Sequence, residues 1–442
     1  MKKTSLIFFL AGLLLFTNLT LVEGAQTKEK ENNQTVIEEN QGPVRDQPIL
    51  VPTKEGPLNA TFEEYNKIME LEKLPSSDLG KSFLLGDYKS GKILEYNNID
   101  EVRPMASTSK LVSVYVILDK IKEGNLSLDD LVTVDHESSV LIGSTYKLKE
   151  NDQKTVRELL DATMVVSGND AITALSKKVA GSVENFAVLM NDKCKKLGLT
   201  NAHMVNPTGL TDYTIEDYNK MTTREMFILA RSLIHDYPEI LNYSSIKILE
   251  DPQRNYKEYN TNPLLGILPQ IDGLKTGNTN AAGRVLIATG LNKGKEKESE
   301  DTRLIGIVTG STNDFKRFVL AKRIMENGFK KYSWTILGAE ENSKGKIQIE
   351  NALKKEYDVY IEKPMSLLLD KEEKVQEKIQ LDTMKAPLKE GTKVGTIIYS
   401  IDGKEIGKNN LVVKEEVREK GILNKIMQIY RDIFYNMEKS AA

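Results

Sequence analysis

The chain has 442 residues, 28% charged and 40% hydrophobic, with 61 Lys and Arg against 64 Asp and Glu and a formal net charge of −3. That length exceeds one ordinary hydrophobic core and predicts two domains with appendages. The balanced charge, with no basic stripe interleaved with aromatics, argues against a nucleic-acid partner, and a single cysteine, Cys194, excludes an intramolecular disulfide.

Met1-Lys2-Lys3-Thr4 is basic, Ser5 to Thr17 is nearly all apolar, and Val22-Glu23-Gly24-Ala25 offers small residues for cleavage. This pattern predicts a secretory signal peptide over 1–25, since the run is short for a membrane span. The mature protein is therefore expected outside the cytoplasmic membrane, and a lysine-rich exported chain nearly free of cysteine fits a bacterial, Gram-positive envelope. Residues 26–58 carry Glu, Lys, Asn, Gln and Pro with few large apolars, the composition of a disordered linker.

From Ser82 the pattern changes. Ser82 to Tyr88 and Lys92 to Tyr96 alternate like strands around the turn Lys89-Ser90-Gly91, which predicts a hairpin. Ser109 to Lys122 places Leu111, Val114, Val116, Ile117 and Ile121 at helical spacing, so one helical turn is expected to carry both Ser107 and Lys110. Helices are predicted over Lys154–Val166, Asp170–Ala180, Val183–Leu197 and Thr223–Ile234, with Cys194 as a core residue of the third. Strands follow at Gly273–Asn278, Arg284–Leu291 and Arg303–Gly310, then a helix at Asp314–Phe329. Together these define an α+β domain, a five-stranded antiparallel sheet built from both ends of its sequence and packed with a helical cluster.

Beyond about Tyr332 come short β-like runs at Lys346–Ile349, Tyr357–Ile361, Lys378–Leu381, Val394–Tyr399 and Leu411–Val413, a small all-β domain over 333–415. The end of the chain, 416–438, holds an amphipathic helix. Ile422, Ile426, Ile429 and Ile433 stand beside Leu423, Met427, Tyr430 and Phe434, while Lys425, Arg431 and Lys439 are offset by Asp432 and Glu438. Such a face suits a membrane surface, with packing on protein as the alternative.

Three short words carry the chemistry: Ser107-Thr108-Ser109-Lys110, Ser167-Gly168-Asn169 and Lys275-Thr276-Gly277. They form the S-x-x-K, S-x-N, K-T-G set of serine acyl-transfer enzymes that use lysine as base. Singly they are weak, because Ser244-Ser245-Ile246-Lys247 repeats the first word and Ser311-Thr312-Asn313 the second. A serine needs a neighbouring base. Lys110 fits that role if burial and the charge of Lys275 keep its amine neutral. Ser167 is then a proton relay, and Asn169, Lys275 and Thr276 bind substrate. Gly277 leaves room along the strand edge, and the backbone amides of Ser107 and Asn278 are oxyanion donors. The bland reading of each word is a helix cap, a loop and a strand end. His136, His203 and His235 are scattered, so no metal site is expected and no cofactor is implied.

With these words in order, the chain resembles the low-molecular-mass penicillin-binding proteins, D-alanyl-D-alanine carboxypeptidases. Leu85-Gly86-Asp87-Tyr88-Lys89-Ser90-Gly91-Lys92-Ile93-Leu94, Asn206-Pro207-Thr208-Gly209-Leu210 and Asp272-Gly273-Leu274 before Lys275 are similar to family signatures, and Ala386 to Gly395 resembles the C-terminal β domain. The resemblance implies a penicillin-binding, β-lactamase-like transpeptidase fold, with a D,D-peptidase domain over 59–332 and membrane attachment through the last helix. It also implies a reaction: Ser107 attacks the last D-Ala-D-Ala bond of a peptidoglycan stem pentapeptide, D-alanine leaves, and water frees the tetrapeptide. β-Lactams would acylate the same serine. Asn278 and Thr261 depart from the family pattern, which bears on substrate preference and rate. The rivals are a serine β-lactamase, whose class A members need a deacylating glutamate, and a catalytically idle penicillin-binding envelope protein. No E-x-x-L-N follows Ser167, and Glu239-Ile240-Leu241-Asn242 is one residue short of it.

Overall fold

The computed structural model describes residues 62–211, 217–339 and 341–440. The expected signal peptide and linker lie outside them. In chain order the first part runs through α1 (Phe62–Glu72), β1 (Ser82–Asp87), β2 (Ile93–Asn97), α2 (Lys110–Lys122), α3 (Val156–Val165), α4 (Asn169–Ala180), α5 (Val183–Lys196) and α6 (Thr223–Asp236). It continues with β3 (Ile271–Thr279), β4 (Gly283–Asn292), β5 (Thr302–Ser311) and α7 (Asp314–Lys331).

The five strands form one antiparallel sheet in the order β2-β1-β5-β4-β3, as the sequence predicts. Its hydrophobic residues alternate between two cores, because successive side chains of a strand point to opposite faces. Leu84, Ile287 and Ile307 join the helical cluster of α2 to α6, with Leu111, Tyr115, Leu160, Phe186 and Leu229. Leu85, Leu286 and Val308 pack instead on α1 and α7, against Ile68, Phe318 and Leu320. The sheet is thus covered on both faces, which explains why β5 is buried almost throughout.

Boundaries differ from expectation where capping decides them. Thr155 and Glu158 form a reciprocal capping box, so α3 begins at Val156 and the preceding Gln153–Thr155 pairs as a short strand with Leu131–Thr133. The same device, Thr222 with Glu225, starts α6 at Thr223, where the sequence places it, and the helix runs two residues further than expected, to Asp236. Cys194 is a core residue whose thiol burial pushes up to about 12.

The C-terminal part adds β6 (Tyr332–Leu337), β7 (Gly345–Ile347), β8 (Tyr357–Ile361), β9 (Met365–Asp370), β10 (Gln376–Leu381), β11 (Lys393–Ile401) and β12 (Lys404–Val412). Strands β7-β8-β12-β11-β10 form a second sheet around Tyr357, Val359, Ile397, Tyr399 and Leu411. Sequence reading missed β6 and β9. They pair with each other, and β6 also pairs with Ser299–Glu300, so a three-stranded sheet joins the two parts. At this joint the Trp334 indole donates to Asp87 Oδ1 at 3.0 Å, and the Lys89 ammonium lies 4.1 Å over the indole ring. The last helix, α8 (Ile422–Ser440), leaves Ile422, Ile426, Ile429, Tyr430, Ile433 and Phe434 exposed. Among the described residues no helix is long and apolar enough to cross a membrane.

Candidate active site

Ser107 lies in a 3-10 turn, Ala106–Ser109, and Lys110 opens α2. One α-helical turn was expected to hold both. The turn tightens because Ala106 has a φ of 49°, a left-handed conformation unusual for alanine. Lys110 is fully buried, with Nζ 2.9 Å from Ser107 Oγ and 2.7 Å from both Asn169 Oδ1 and the Thr208 carbonyl oxygen. Burial holds its pKa well below the usual lysine value, and the nearby Lys275 charge lowers it further while Asp170 pulls the other way. A neutral amine has two hydrogens. In that form Asn169 Oδ1 and the Thr208 carbonyl can accept both, which would leave the lone pair for the Ser107 hydroxyl.

The second word sits where α3 gives way to α4. Ser167 has a φ of 62° and is buried, yet its hydroxyl has no hydrogen-bond partner among the described residues. The structure therefore draws no hydrogen bond from Ser167 to Ser107 or Lys110. Asn169 commits its oxygen to Lys110 and one Nδ2 hydrogen to the Ile142 carbonyl at 2.8 Å, leaving the other hydrogen for a ligand. Its main-chain amide donates to the Ser144 carbonyl at 2.8 Å. Next to it, the buried Asp170 carboxylate accepts the amides of Tyr146, Leu148 and Ala171.

The third word lies on β3, the edge strand beside the 3-10 turn. Lys275 is fully buried. Desolvation, then the charge of Arg317, bring its pKa down to about 7. Thr276 Oγ1 donates to Thr261 Oγ1 at 2.7 Å, which places Thr261 in the site. At Gly277 a β-carbon would stand 3.0 Å from the Met105 carbonyl oxygen, 3.0 Å from the Ser107 amide nitrogen and 3.1 Å from Ala106 Cβ. The sequence reading reserved this space for substrate alone; the backbone that presents Ser107 occupies it first. Asn278 follows on the same strand.

Sequence reasoning gave no role to Asn206-Pro207-Thr208-Gly209-Leu210, which supplies one of the two acceptors that hold Lys110. Asn206 Oδ1 accepts from the Thr208 amide, the Thr208 hydroxyl and the Gly209 amide, and its Nδ2 donates to the Leu210 carbonyl. The Pro207 carbonyl accepts from Ser113 on α2 at 2.8 Å. Gly209 has a φ of 79°, and a β-carbon there would meet the Ala106 carbonyl oxygen at 1.9 Å, so only glycine fits. The signal available was the turn chemistry of Asn-Pro and Thr-Gly. A carbonyl acceptor carries no side-chain signature.

The decoy words have structural work. Ser244 donates to the Asp272 carbonyl at 2.8 Å, and Asn313 caps α7 by accepting the Lys316 amide. His136, His203 and His235 are exposed beside Glu150, Asp217 and Asp236, and no group of metal-ligating side chains gathers among the described residues.

A buried lysine 2.9 Å from a serine hydroxyl, beside an edge strand carrying a second lysine, is the arrangement expected of a serine acyl-transfer enzyme of the penicillin-binding type. A family model described as D-alanyl-D-alanine carboxypeptidase matches residues 72–312, and one described as penicillin-binding protein 5, C-terminal domain, matches residues 335–419. The chain belongs to the D-alanyl-D-alanine carboxypeptidase family. It is 33% identical over 364 residues to D-alanyl-D-alanine carboxypeptidase DacC of Escherichia coli (strain K12), covering 80% of this chain and 87% of that relative. Crystal structures of penicillin-binding protein 5 from Haemophilus influenzae match with a TM-score of 0.58 and 28% identity over 78% of this chain and 99% of that one. Penicillin-binding protein D2 from Listeria monocytogenes, in its ampicillin-bound form, matches with a TM-score of 0.51 and 31% identity over 57% of this chain and 98% of that one.

Proposed function

We propose that this protein is a serine-type D-alanyl-D-alanine carboxypeptidase that removes the terminal D-alanine from peptidoglycan stem pentapeptides through an acyl-enzyme on Ser107. The observation that carries the reading is Lys110 Nζ at 2.9 Å from Ser107 Oγ, with carbonyl acceptors for its two amine hydrogens. Ser107 gives its proton to Lys110 as Oγ bonds to the scissile carbonyl carbon. The oxyanion is held by the amides of Ser107 and Asn278. Collapse breaks the C–N bond, and Lys110 returns the proton to the departing amine, with Ser167 as relay. Water, deprotonated by Lys110, then frees the tetrapeptide and restores Ser107.

Lys275 and Thr276, with Thr261 behind, take the terminal carboxylate, and the free Nδ2 hydrogen of Asn169 takes the carbonyl of the preceding amide. A bound carboxylate favours charged Lys275, and that charge in turn favours neutral Lys110. Substrate thus primes its own base. β-Lactams acylate Ser107 by the same attack. In this reading 59–332 is the D,D-peptidase domain and 333–415 a spacer. The chain is exported by residues 1–25 and rests on the outer face of the cytoplasmic membrane of a Gram-positive bacterium through α8.

The test is D-alanine release from a pentapeptide ending in D-Ala-D-Ala, together with labelling by a fluorescent penicillin. Wild type is expected to do both and Ser107→Ala neither. Labelling that persists in Ser107→Ala would remove Ser107 as nucleophile, and rapid penicillin turnover without D-alanine release would indicate a β-lactamase.

A further inference from the structure

Ile142 is 76% exposed, although the loop that carries it is held firmly from behind. Its carbonyl and that of Ser144 accept from Asn169, the Asp170 carboxylate holds the amides of Tyr146 and Leu148, and Arg254 donates to the Tyr146 carbonyl at 3.1 Å. The Arg254 guanidinium also stacks 4.7 Å over the Tyr146 ring. A single exposed isoleucine is ordinary on a protein surface. This one is three hydrogen bonds from the reacting hydroxyl, through Lys110 and Asn169. Leu210 lies near the next residue of the loop. A β-carbon at the neighbouring Gly143 would lie 3.1 Å from Asn169 Nδ2 and 3.8 Å from Leu210 Cδ2.

The carboxylate end of a ligand is directed to Lys275, Thr276 and Thr261, and its preceding amide to Asn169. What extends beyond that amide therefore meets the outer neighbours of Asn169. We propose that Ile142, with Leu210 near the adjacent Gly143, is a specificity-determining residue that offers an apolar rest to the acyl-side portion of the donor. In a stem peptide that portion is the aliphatic side chain of the residue before the D-alanine pair; in a penicillin it is the acylamino side chain. The rigid loop lets this contact form without ordering a mobile segment. The inference rests on the acyl-enzyme reading above and adds the group that selects among donors.

The experiment compares second-order acylation rates for benzylpenicillin and for 6-aminopenicillanic acid, which lacks the acyl side chain, in wild type, Ile142→Ser and Ile142→Leu. For Ile142→Ser, benzylpenicillin is expected to slow about 5- to 20-fold, the scale of a lost apolar contact in a recognition pocket. The 6-aminopenicillanic acid rate and the melting temperature stay at wild-type values, and Ile142→Leu restores benzylpenicillin. Equal slowing of both compounds, or of neither, would overturn the role of Ile142. A wild type that neither compound labels would overturn the acyl-enzyme reading itself.

Discussion

The main-chain oxygen of Thr208 lies 2.7 Å from Lys110 Nζ, ninety-eight residues earlier in the chain. The side chain that holds this carbonyl in place is Asn206, through three accepted hydrogen bonds and one donated. Asn206→Ala is expected to slow penicillin acylation about 10- to 100-fold and to cost about 1–3 kcal/mol of stability, because buried loop amides lose their acceptor. Asn206→Asp keeps the three accepted bonds and should melt closer to wild type. Stopped-flow acylation and thermal melts on both variants check this; equal behaviour of the two would show that the loop does not hold through those acceptors.

Lys110→Met removes the amine but keeps an unbranched, buried chain of similar length. Loss of the general base is expected to cut D-alanine release by about a thousandfold, with a folded far-ultraviolet circular dichroism spectrum. Release near the wild-type rate in this variant would assign the base to another group.

Lys275 is expected to give the site an alkaline limit. Its folded pKa is about 7 against an ordinary 10.5, so in the free enzyme kcat/KM should fall as pH rises past about 7 and the carboxylate loses its charged partner. The acid limb is expected from Lys110, which can act as base only when neutral and is held well below its ordinary value. Because the two lysines interact, the limbs report the pair. Lys275→Arg keeps the charge and should move the alkaline limb above pH 9; an unmoved limb would assign it to another group. Stability carries the matching sign. Between about 7 and 10.5 the unfolded chain binds the proton that the folded chain has released, so this lysine's contribution rises with pH across that window and is most unfavourable below it. Relative to wild type, Lys275→Met should therefore gain more in chemical denaturation at pH 6 than at pH 10.

The two glycines that touch the Met105–Ser107 backbone separate strain from access. Gly209→Ala combines a φ of 79° with a 1.9 Å clash on backbone, whereas Gly277→Ala meets its neighbours at 3.0 Å. The first is expected to lose more than about 3 kcal/mol and to express poorly. The second should fold, lose about 1 kcal/mol and acylate at least about tenfold more slowly as the 3-10 turn is pushed back. If Gly277→Ala acylates at the wild-type rate, the packing of the turn on β3 does not set the position of Ser107.

The reach of the sequence follows physical lines. Apolar periodicity exposed the strands and helices whose two faces differ, such as β1 and α6, and motif order separated Ser107 from the decoy at Ser244. Periodicity could not expose β6 or β9, because their partners are distant and their residues only half-buried. Nor could it expose the left-handed Ala106 and Ser167, since neither residue type advertises a positive φ. The surroundings of Lys110 arise from residues far apart in the chain: Asn169 and Thr208 accept from its amine, while burial and the Lys275 charge lower its pKa, so only their type could be read beforehand.

The last helix yields the final prediction. Ile422, Ile426, Ile429 and Ile433 are exposed along α8 at the three- and four-residue steps that place side chains on one face, with Phe434 exposed next to Ile433. Burying such a face in the headgroup region stabilises by about 25 cal/mol per Å² of apolar surface. The basic residues Lys425, Arg431 and Lys439 stand against Asp432 and Glu438, so electrostatic attraction to anionic lipid adds little. Truncation after Lys420 is therefore expected to move the protein from the membrane to the soluble fraction while leaving D-alanine release intact. Vesicle flotation of the full chain should be nearly as efficient on zwitterionic as on anionic lipid and should persist at high salt, because the contact is apolar. A distribution unchanged by the truncation would show that α8 is not the membrane contact, and release by salt alone would show that charge, rather than the isoleucine face, holds the protein there.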